Sequence, residues 1–289
     1  MPYVGRFAPS PTGALHFGSA VAAIASFLQA RVNRGEWLVR IDNIDRPREK
    51  PGAATAILRS LERLGLQWDR TVQYQRDARA AHLAACDLLL SNKRAFRCVC
   101  SRRQLTDGRY LGTCRTLNIQ RAETHVVRVI APADPLTIED ALQGRLTQNI
   151  ATASGDFVIW RAEDLPAYHL AVVIDDGITG VTEVVRGADL LESTPCQFYL
   201  QSLLKLPHPR YLHFPIALDR NGAKLSKQAS ATAIDLRPAS ETLSLALAFL
   251  GHPVPTELRA APAGEILSWA VKHWQAARIP KQMNLSVVE

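Results

Sequence analysis

Phe7-Ala8-Pro9-Ser10-Pro11-Thr12-Gly13-Ala14-Leu15-His16-Phe17-Gly18-Ser19 is the stretch whose reading decides the fold. Ahead of it, Tyr3-Val4-Gly5-Arg6-Phe7 reads as a short buried strand. Pro9 and Pro11 forbid helix just after that strand. Gly13 permits a turn that other residues resist. From about Leu15 a helix begins, because Val21, Ile24, Ala25, Leu28 and Val32 recur at helical spacing and Gly35 can cap the end. His16 and Gly18 therefore fall at or near a helix N-terminus. Backbone N–H groups and the helix dipole favour phosphate oxygens there. Gly18 leaves room for a nucleotide to approach, and His16 can donate a hydrogen bond.

Taken alone, a histidine in a proline-rich loop is an ordinary surface feature. A second motif far downstream, Gly222-Ala223-Lys224-Leu225-Ser226-Lys227, changes the weighing. It is a Gly-led loop carrying two lysines three apart. A Lys ammonium is a mobile point charge suited to polyphosphate. Cations placed where charge builds up stabilise the departure of pyrophosphate.

In this order the two motifs resemble the HIGH and KMSKS signatures of class I aminoacyl-tRNA synthetases. The Phe7–Gly13 lead-in is similar to glutamyl-tRNA synthetases in particular. Arg40–Asp45, Tyr168–Asp176 and Val184–Asp189 extend the likeness, which covers residues 3 to 235. It implies an α/β, Rossmann-type nucleotide-binding fold. It also implies catalytic roles for His16, Lys224 and Lys227, with His16, Gly18, Ser19, Lys224 and Lys227 around ATP and Mg²⁺ as counter-ion. Arg6, Phe7, Ala8, Pro9, Ser10, Asp42, Tyr168 and Arg186 are implied to bind glutamate. The residue chemistry agrees. Asp42 ends the apolar strand Trp37–Ile41, where a pocket residue belongs in a doubly wound sheet. Two Arg forks and one acid suit a substrate with two carboxylates and one ammonium. The competing reading pairs Arg6 and Arg186 with Asp42, Asp45 or Asp189 in the scaffold. Asp42 departs from the family's usual Glu, and Asn43 from its usual Asp. The shorter Asp predicts a longer or water-bridged ammonium contact and weaker glutamate binding.

Full glutamyl-tRNA synthetases carry a domain-sized anticodon-reading block after the lysine loop. The stretch after Gln228 is only about half a typical domain. Leu243, Ala246, Leu247 and Leu250 form a helical stripe ending at Gly251, and Ile266, Ala270 and Trp274 form another. This shortened form resembles the glutamyl-Q tRNA(Asp) synthetase branch, whose members attach glutamate to queuosine in the anticodon of aspartate tRNA. The expected partners are thus ATP, glutamate and queuosine-bearing tRNA(Asp). Two rivals remain: a truncated enzyme charging a tRNA 3′ end, and a non-catalytic tRNA-binding paralogue.

Cys98-Val99-Cys100 is followed by Cys114. Such a cluster in a reducing compartment points to structural zinc. Three thiolates need a fourth ligand. Residue chemistry alone puts His125 before a tyrosine, whereas the family resemblance implies Tyr110. Cys86 and Cys196 read as packing residues. Arg94, Arg97, Arg102, Arg103, Arg109, Arg115 and Arg121 crowd this region and, with the resemblance, read as part of an RNA surface.

The 289 residues carry a net charge of +7, which fits a polyanionic partner. A 47% hydrophobic and 21% charged composition excludes a disordered chain. Apolar runs fall short of a membrane span, and no signal peptide precedes Tyr3, so a cytoplasmic protein is expected. A monomer is expected as well, although no residue pattern indicates the oligomeric state. Pattern and turn residues predict strands at 3–7, 37–41, 126–130, 157–160, 171–174, 181–186 and 212–218. Helices are predicted at 19–34, 53–64, 78–90 and 196–205, with an irregular metal-stapled stretch from about 95. The expected domains are a first Rossmann half (1–94), a zinc-containing tRNA-contacting insert (95–165), a second half with the lysine loop (166–235) and a short helical tail (236–289).

Overall fold

The protein is seen in a computed structural model that describes residues 2–105, 109–120, 124–219, 222, 234 and 237–287. Lys224, Lys227 and Arg121 lie outside the described residues, as does the side chain of Arg102.

The opening strand, β1 (Val4–Phe7), is buried along its whole length. The helix that follows its turn is α1 (Phe17–Val32). It returns the chain to β2 (Glu36–Ile41), which lies parallel to β1 with Phe7 opposite Val39. A second helix, α2 (Ala53–Arg63), leads to the short parallel strand β3 (Gln73–Tyr74). Helix α3 (Arg79–Ser91) then enters β4 (Ala95–Cys98), which is a regular strand although an irregular stretch is expected from about 95. β4 pairs antiparallel with β5 (Val126–Val129).

Next come the hairpin β6 (Leu136–Asp140) and β7 (Gly144–Gln148), the short helix α4 (Ile150–Ala153) and β8 (Phe157–Trp160). β8 completes the antiparallel sheet β4-β5-β8. The chain returns through α5 (Tyr168–Thr179), β9 (Glu183–Gly187), α6 (Thr194–Leu204), β10 (Arg210–Phe214) and β11 (Ile216–Leu218). The tail adds α7 (Ala239–Phe249), α8 (Ala263–His273) and β12 (Asn284–Ser286).

A second sheet runs β7-β6-β10-β9, parallel except for the β6–β7 hairpin. Thr182 joins it to the first sheet. Its N–H donates to the Val4 carbonyl at 2.9 Å, and its hydroxyl accepts from the Val4 N–H at 2.9 Å. The apolar face of α1 lies in one core with Trp37, Val39 and Ile41 of β2 and with Leu243, Leu247, Ile266 and Trp274 of the tail. The Trp274 indole donates to Gln29 at 2.8 Å, so the tail packs on α1 as its two stripes predict.

Two further sequence expectations are corrected. Ala171–Ile174 is not a strand but the middle of α5, which Gly180 ends in the left-handed conformation. A four-residue apolar run buried on all sides has no period of its own, so β-branched residues there do not separate strand from helix. The expected strand 212–218 is two strands, interrupted at Pro215, which has no N–H for a ladder. The β6–β7 hairpin and β12 are additions. β12 pairs with β11, far away in sequence, and no local pattern announces it.

Candidate active site and cysteine cluster

The carboxyl ends of β1, β2 and β9 open into a cavity of about 940 Å³. Local backbone rules explain its rim. β1 stops where Pro9 and Pro11 begin, and the Pro9 carbonyl accepts the Asp42 N–H at 2.9 Å, tying the turn to the end of β2. Gly13 sits at φ 148°, in the positive range that favours glycine. His16 is the residue at which α1 starts, and no acid occupies its first turn. The N–H groups of that turn that lack a partner within the helix make it the electropositive end. The His16 ring lies 3.0 Å from the Ser19 hydroxyl.

Every described residue of the expected site lines this one cavity: Arg6 to Ser10, His16, Gly18, Ser19, Asp42, Tyr168 and Arg186. Helix α5 places Tyr168 and Val172 one turn apart on the cavity wall. One turn further along the same face, Asp175 and Asp176 are buried in the interior.

Those two acids anchor a buried ionic network. Arg6 Nε lies 3.2 Å from both Asp176 oxygens, and Arg40 Nη1 lies 2.6 Å from Asp176 Oδ1. Arg40 also holds Asp42 Oδ1 at 2.7 Å. Asp175 receives Gln75 Nε2 at 2.6 Å and sits 2.7 Å from the His82 ring. Arg6 therefore does pair with the scaffold, but with Asp176 rather than with Asp42, Asp45 or Asp189. Burial pushes the Asp42 carboxyl above its usual range, against the pull of Arg40 and reinforced by Asp175 and Asp176. Burial also acts on Asp176, but Arg6 and Arg40 outweigh it and hold that carboxyl low.

Arg186 differs. Its Nε faces His213 Nε2 at 2.9 Å, and its Nη2 reaches Thr194 Oγ1 at 2.9 Å and the Leu190 carbonyl at 3.3 Å. His213 is in turn fixed by Asp140 at 2.6 Å. Among the described residues no carboxylate forms an ion pair with Arg186, although it is only 6% exposed. Burial lowers its pKa, with Arg6 adding to the effect, and guanidinium nevertheless stays charged. A buried cation at a cavity wall, with no described carboxylate paired to it, is suited to an anionic ligand.

Sequence reasoning gave no site role to Arg40, Asp175, Asp176, Gln75 or His82, although Arg40, Asp175 and Asp176 fall in stretches that carry the family likeness. A signal existed: Arg40 is the one charge in the strand Trp37–Ile41, and two acids interrupt the apolar run of α5. Arg48 and Lys50 also line the cavity, from the basic stretch after Asp45.

The cysteines form the second cluster. The ligand atoms of Cys98, Cys100 and Cys114 lie within 4.8 Å of one another, and His125 is not among them. Cys100 and Cys114 sulfurs are 3.4 Å apart. The Tyr110 hydroxyl is 3.9 Å from Cys100 Sγ and accepts the Cys114 N–H at 2.6 Å. Tetrahedral zinc with bonds of about 2.3 Å sets its sulfurs roughly 3.8 Å apart, so the donor set fits such an ion. Burial and the neighbouring Cys114 push the Cys100 thiol up to about 11. Cys86 and Cys196 are buried among apolar side chains, as expected.

The family model for tRNA synthetases class I (E and Q), catalytic domain, matches residues 3–249. Proteins called glutamyl-Q tRNA(Asp) synthetase from Pseudomonas paraeruginosa and Thiobacillus denitrificans are 47% and 48% identical to this chain. Those matches cover 98% and 96% of this chain and 97% and 95% of theirs. The crystal structure of a glutamate tRNA ligase from Elizabethkingia meningosepticum in complex with its amino acid matches with a TM-score of 0.83 at 21% identity. That match covers 100% of this chain and 67% of the other, and is a likeness of fold. Among the described residues no helix is long and apolar enough to cross a membrane.

Proposed function

The chain belongs to the class I tRNA synthetase (E and Q) catalytic-domain family, and on that premise we propose that it activates glutamate with ATP and passes the glutamyl group to queuosine in the anticodon of tRNA(Asp). The acceptor rests on the names of its full-length relatives. The amino-acid assignment rests on one observation above all. A buried Arg186 that no described carboxylate neutralises shares a cavity with Arg6 and with the first turn of α1, which carries no acidic residue.

Arg186 and Arg6 receive glutamate carboxylate, with Tyr168 adding a hydroxyl contact at the exposed side. A glutamate α-carboxylate oxygen attacks the ATP α-phosphorus, the bond to the bridging oxygen breaks, and pyrophosphate leaves. The carboxylate is already a nucleophile, so no general base is needed. His16, Gly18, Ser19 and the first turn of α1 bind the polyphosphate. Lys224 and Lys227 stabilise the leaving charge, with Mg²⁺ as counter-ion to ATP. In the second step a hydroxyl of the queuosine cyclopentenediol attacks the adenylate carbonyl, AMP leaves, and the glutamyl ester remains on the base.

Cys98, Cys100, Tyr110 and Cys114 hold structural zinc, which would staple the segment around them. The basic side chains about that segment, Arg94, Arg97, Arg103, Arg109 and Arg115 among them, take tRNA phosphates. The two Rossmann halves, the insert and the tail act as the four units expected from sequence, in a cytoplasmic monomer.

The deciding experiment mixes the protein with ATP, Mg²⁺, labelled glutamate and bulk tRNA from cells that make queuosine or cannot. Label confined to queuosine-containing tRNA is the expected result. Label on both pools would move the reaction to the tRNA 3′ end. No label on either, with no adenylate formed, would leave a silent tRNA binder.

A further inference from the structure

A further buried guanidinium lies beside the cysteine cluster. Arg128 of β5 is 7% exposed. Its Nε lies 3.4 Å from Cys98 Sγ, and its guanidinium carbon stands 4.3 Å from the centroid of the Tyr110 ring. Nη1 donates to the Asp156 carbonyl at 2.9 Å, which fixes the fork in that orientation. The carboxylate of Asp156 is not its counter-ion. That group is taken by Arg115 at 2.6 and 2.7 Å and by the Ala131 N–H at 2.9 Å. Among the described residues no carboxylate forms an ion pair with Arg128.

Burying a cation is costly unless an anion faces it. The groups that face Arg128 are a thiol and a phenol, both neutral when protonated. They become anions when they ligate a divalent ion, since thiolate is the binding form. Three thiolates and one phenolate around Zn²⁺ leave a net charge of −2. The charged face of Arg128 meets two of those four ligands at once, one through an N–H···S contact and one across the ring. The attraction across the ring rises when the phenol ionises, because the ring face becomes more negative.

The geometry points to Arg128 as a positioning residue for the cluster: its contact with Cys98 Sγ and its stacking on the Tyr110 ring orient two of the four ligands, and its charge offsets that of the loaded cluster from outside the ligand set. This rests on the zinc reading given above. Ligand-supporting residues of this kind commonly change metal affinity by about 10- to 100-fold when removed.

Zinc content and zinc affinity are measured by chelator competition on the full-length protein, on Arg128→Met and on Arg128→Lys. Methionine keeps an apolar stem without the charge, and lysine keeps the charge without the planar fork. The expected result is zinc bound by the parent, a loss of about 10-fold or more in affinity for Arg128→Met, and partial recovery for Arg128→Lys. Melting temperatures with zinc and with excess chelator separate support of the metal from packing. Arg128→Met should lower the melting temperature more with zinc than without it. Equal affinity in parent and Arg128→Met, or an equal loss of melting temperature in both conditions, would overturn the role of Arg128. A parent protein that binds no zinc would overturn the zinc reading itself, and this inference with it.

Discussion

Arg40 Nε sits 2.7 Å from Asp42 Oδ1, with the two side chains 3% and 8% exposed. The acid expected to receive the substrate ammonium is therefore already held by a scaffold cation, on a side chain one methylene shorter than the family's usual Glu. A Glu at this position can keep one oxygen on Arg40 and extend the other toward the cavity. Asp42→Glu should lower the glutamate KM about fivefold, the worth of about 1 kcal/mol from one added contact. ATP–pyrophosphate exchange at varied glutamate measures it. An unchanged glutamate KM would overturn the expectation that the shorter Asp42 weakens glutamate binding.

Arg186 offers a test of the other end of the pocket. Its fork is fixed by His213, Thr194 and the Leu190 carbonyl, so its charge is aimed before any ligand arrives. Lysine in its place keeps the charge but loses the bidentate geometry. Arg186→Lys should raise the glutamate KM by about 10-fold or more, in line with about 1.5–3 kcal/mol for a hydrogen bond to a charged group. The ATP KM should move by less than twofold. A parallel rise in both would mean that the substitution disturbs the cavity as a whole.

Which parts of this site were legible beforehand follows from the range of the forces involved. The turn at Gly13 and the start of α1 are set by dihedral preferences and by a stripe repeating every few residues. The sequence carries that information locally. The cysteine cluster is legible for the same reason, since its ligands are close neighbours along the chain. The pairing of Arg6 with Asp176 spans 170 positions, and nothing near either residue names the other. Asp175 and Asp176 were hidden further by the misreading of α5. A strand at 171–174 would end before them, whereas a helix buries them beneath β1 and β2. The parallel pairing of β11 with β12 is similarly long in range and short in extent.

His169 stands next to Tyr168 and packs edge-on against the Phe157 ring, at 5.7 Å between centroids. Burial, with the positive charge of Arg186 adding to it, lowers its pKa from 6.5 to about 4. The unfolded chain thus takes up this proton before the folded protein does. Its contribution to stability is fully present above about pH 6.5 and is lost as pH falls toward 4. Urea unfolding at pH 7, 5.5 and 4.5 should show a progressive loss of stability. His169→Phe should flatten that dependence by up to about one proton between pH 6.5 and 4. An identical slope in parent and variant would assign the acid sensitivity elsewhere.

Gly155 and Gly52 share a left-handed backbone, at φ +67° and φ +76°, but differ in what surrounds them. A Cβ on Gly52 would meet nothing within 4 Å, so Gly52→Ala should cost only the conformational penalty of about 1–2 kcal/mol. A Cβ on Gly155 would lie 2.4 Å from the Tyr110 carbonyl oxygen and 2.9 Å from its nitrogen. Those atoms are main chain and cannot rotate away. They also belong to the bridge between Tyr110 and Gly155 that seats the cysteine cluster against the end of α4. Gly155→Ala must therefore displace Tyr110 or open the bridge, and its loss of stability should exceed that of Gly52→Ala by at least about 1–3 kcal/mol. Because the displacement falls on a proposed ligand, zinc retention against a chelator should drop in Gly155→Ala and stay at the parent level in Gly52→Ala. Equal stability and equal zinc retention in the two variants would show that the Tyr110 backbone yields without cost, and that the bridge does not position the cluster.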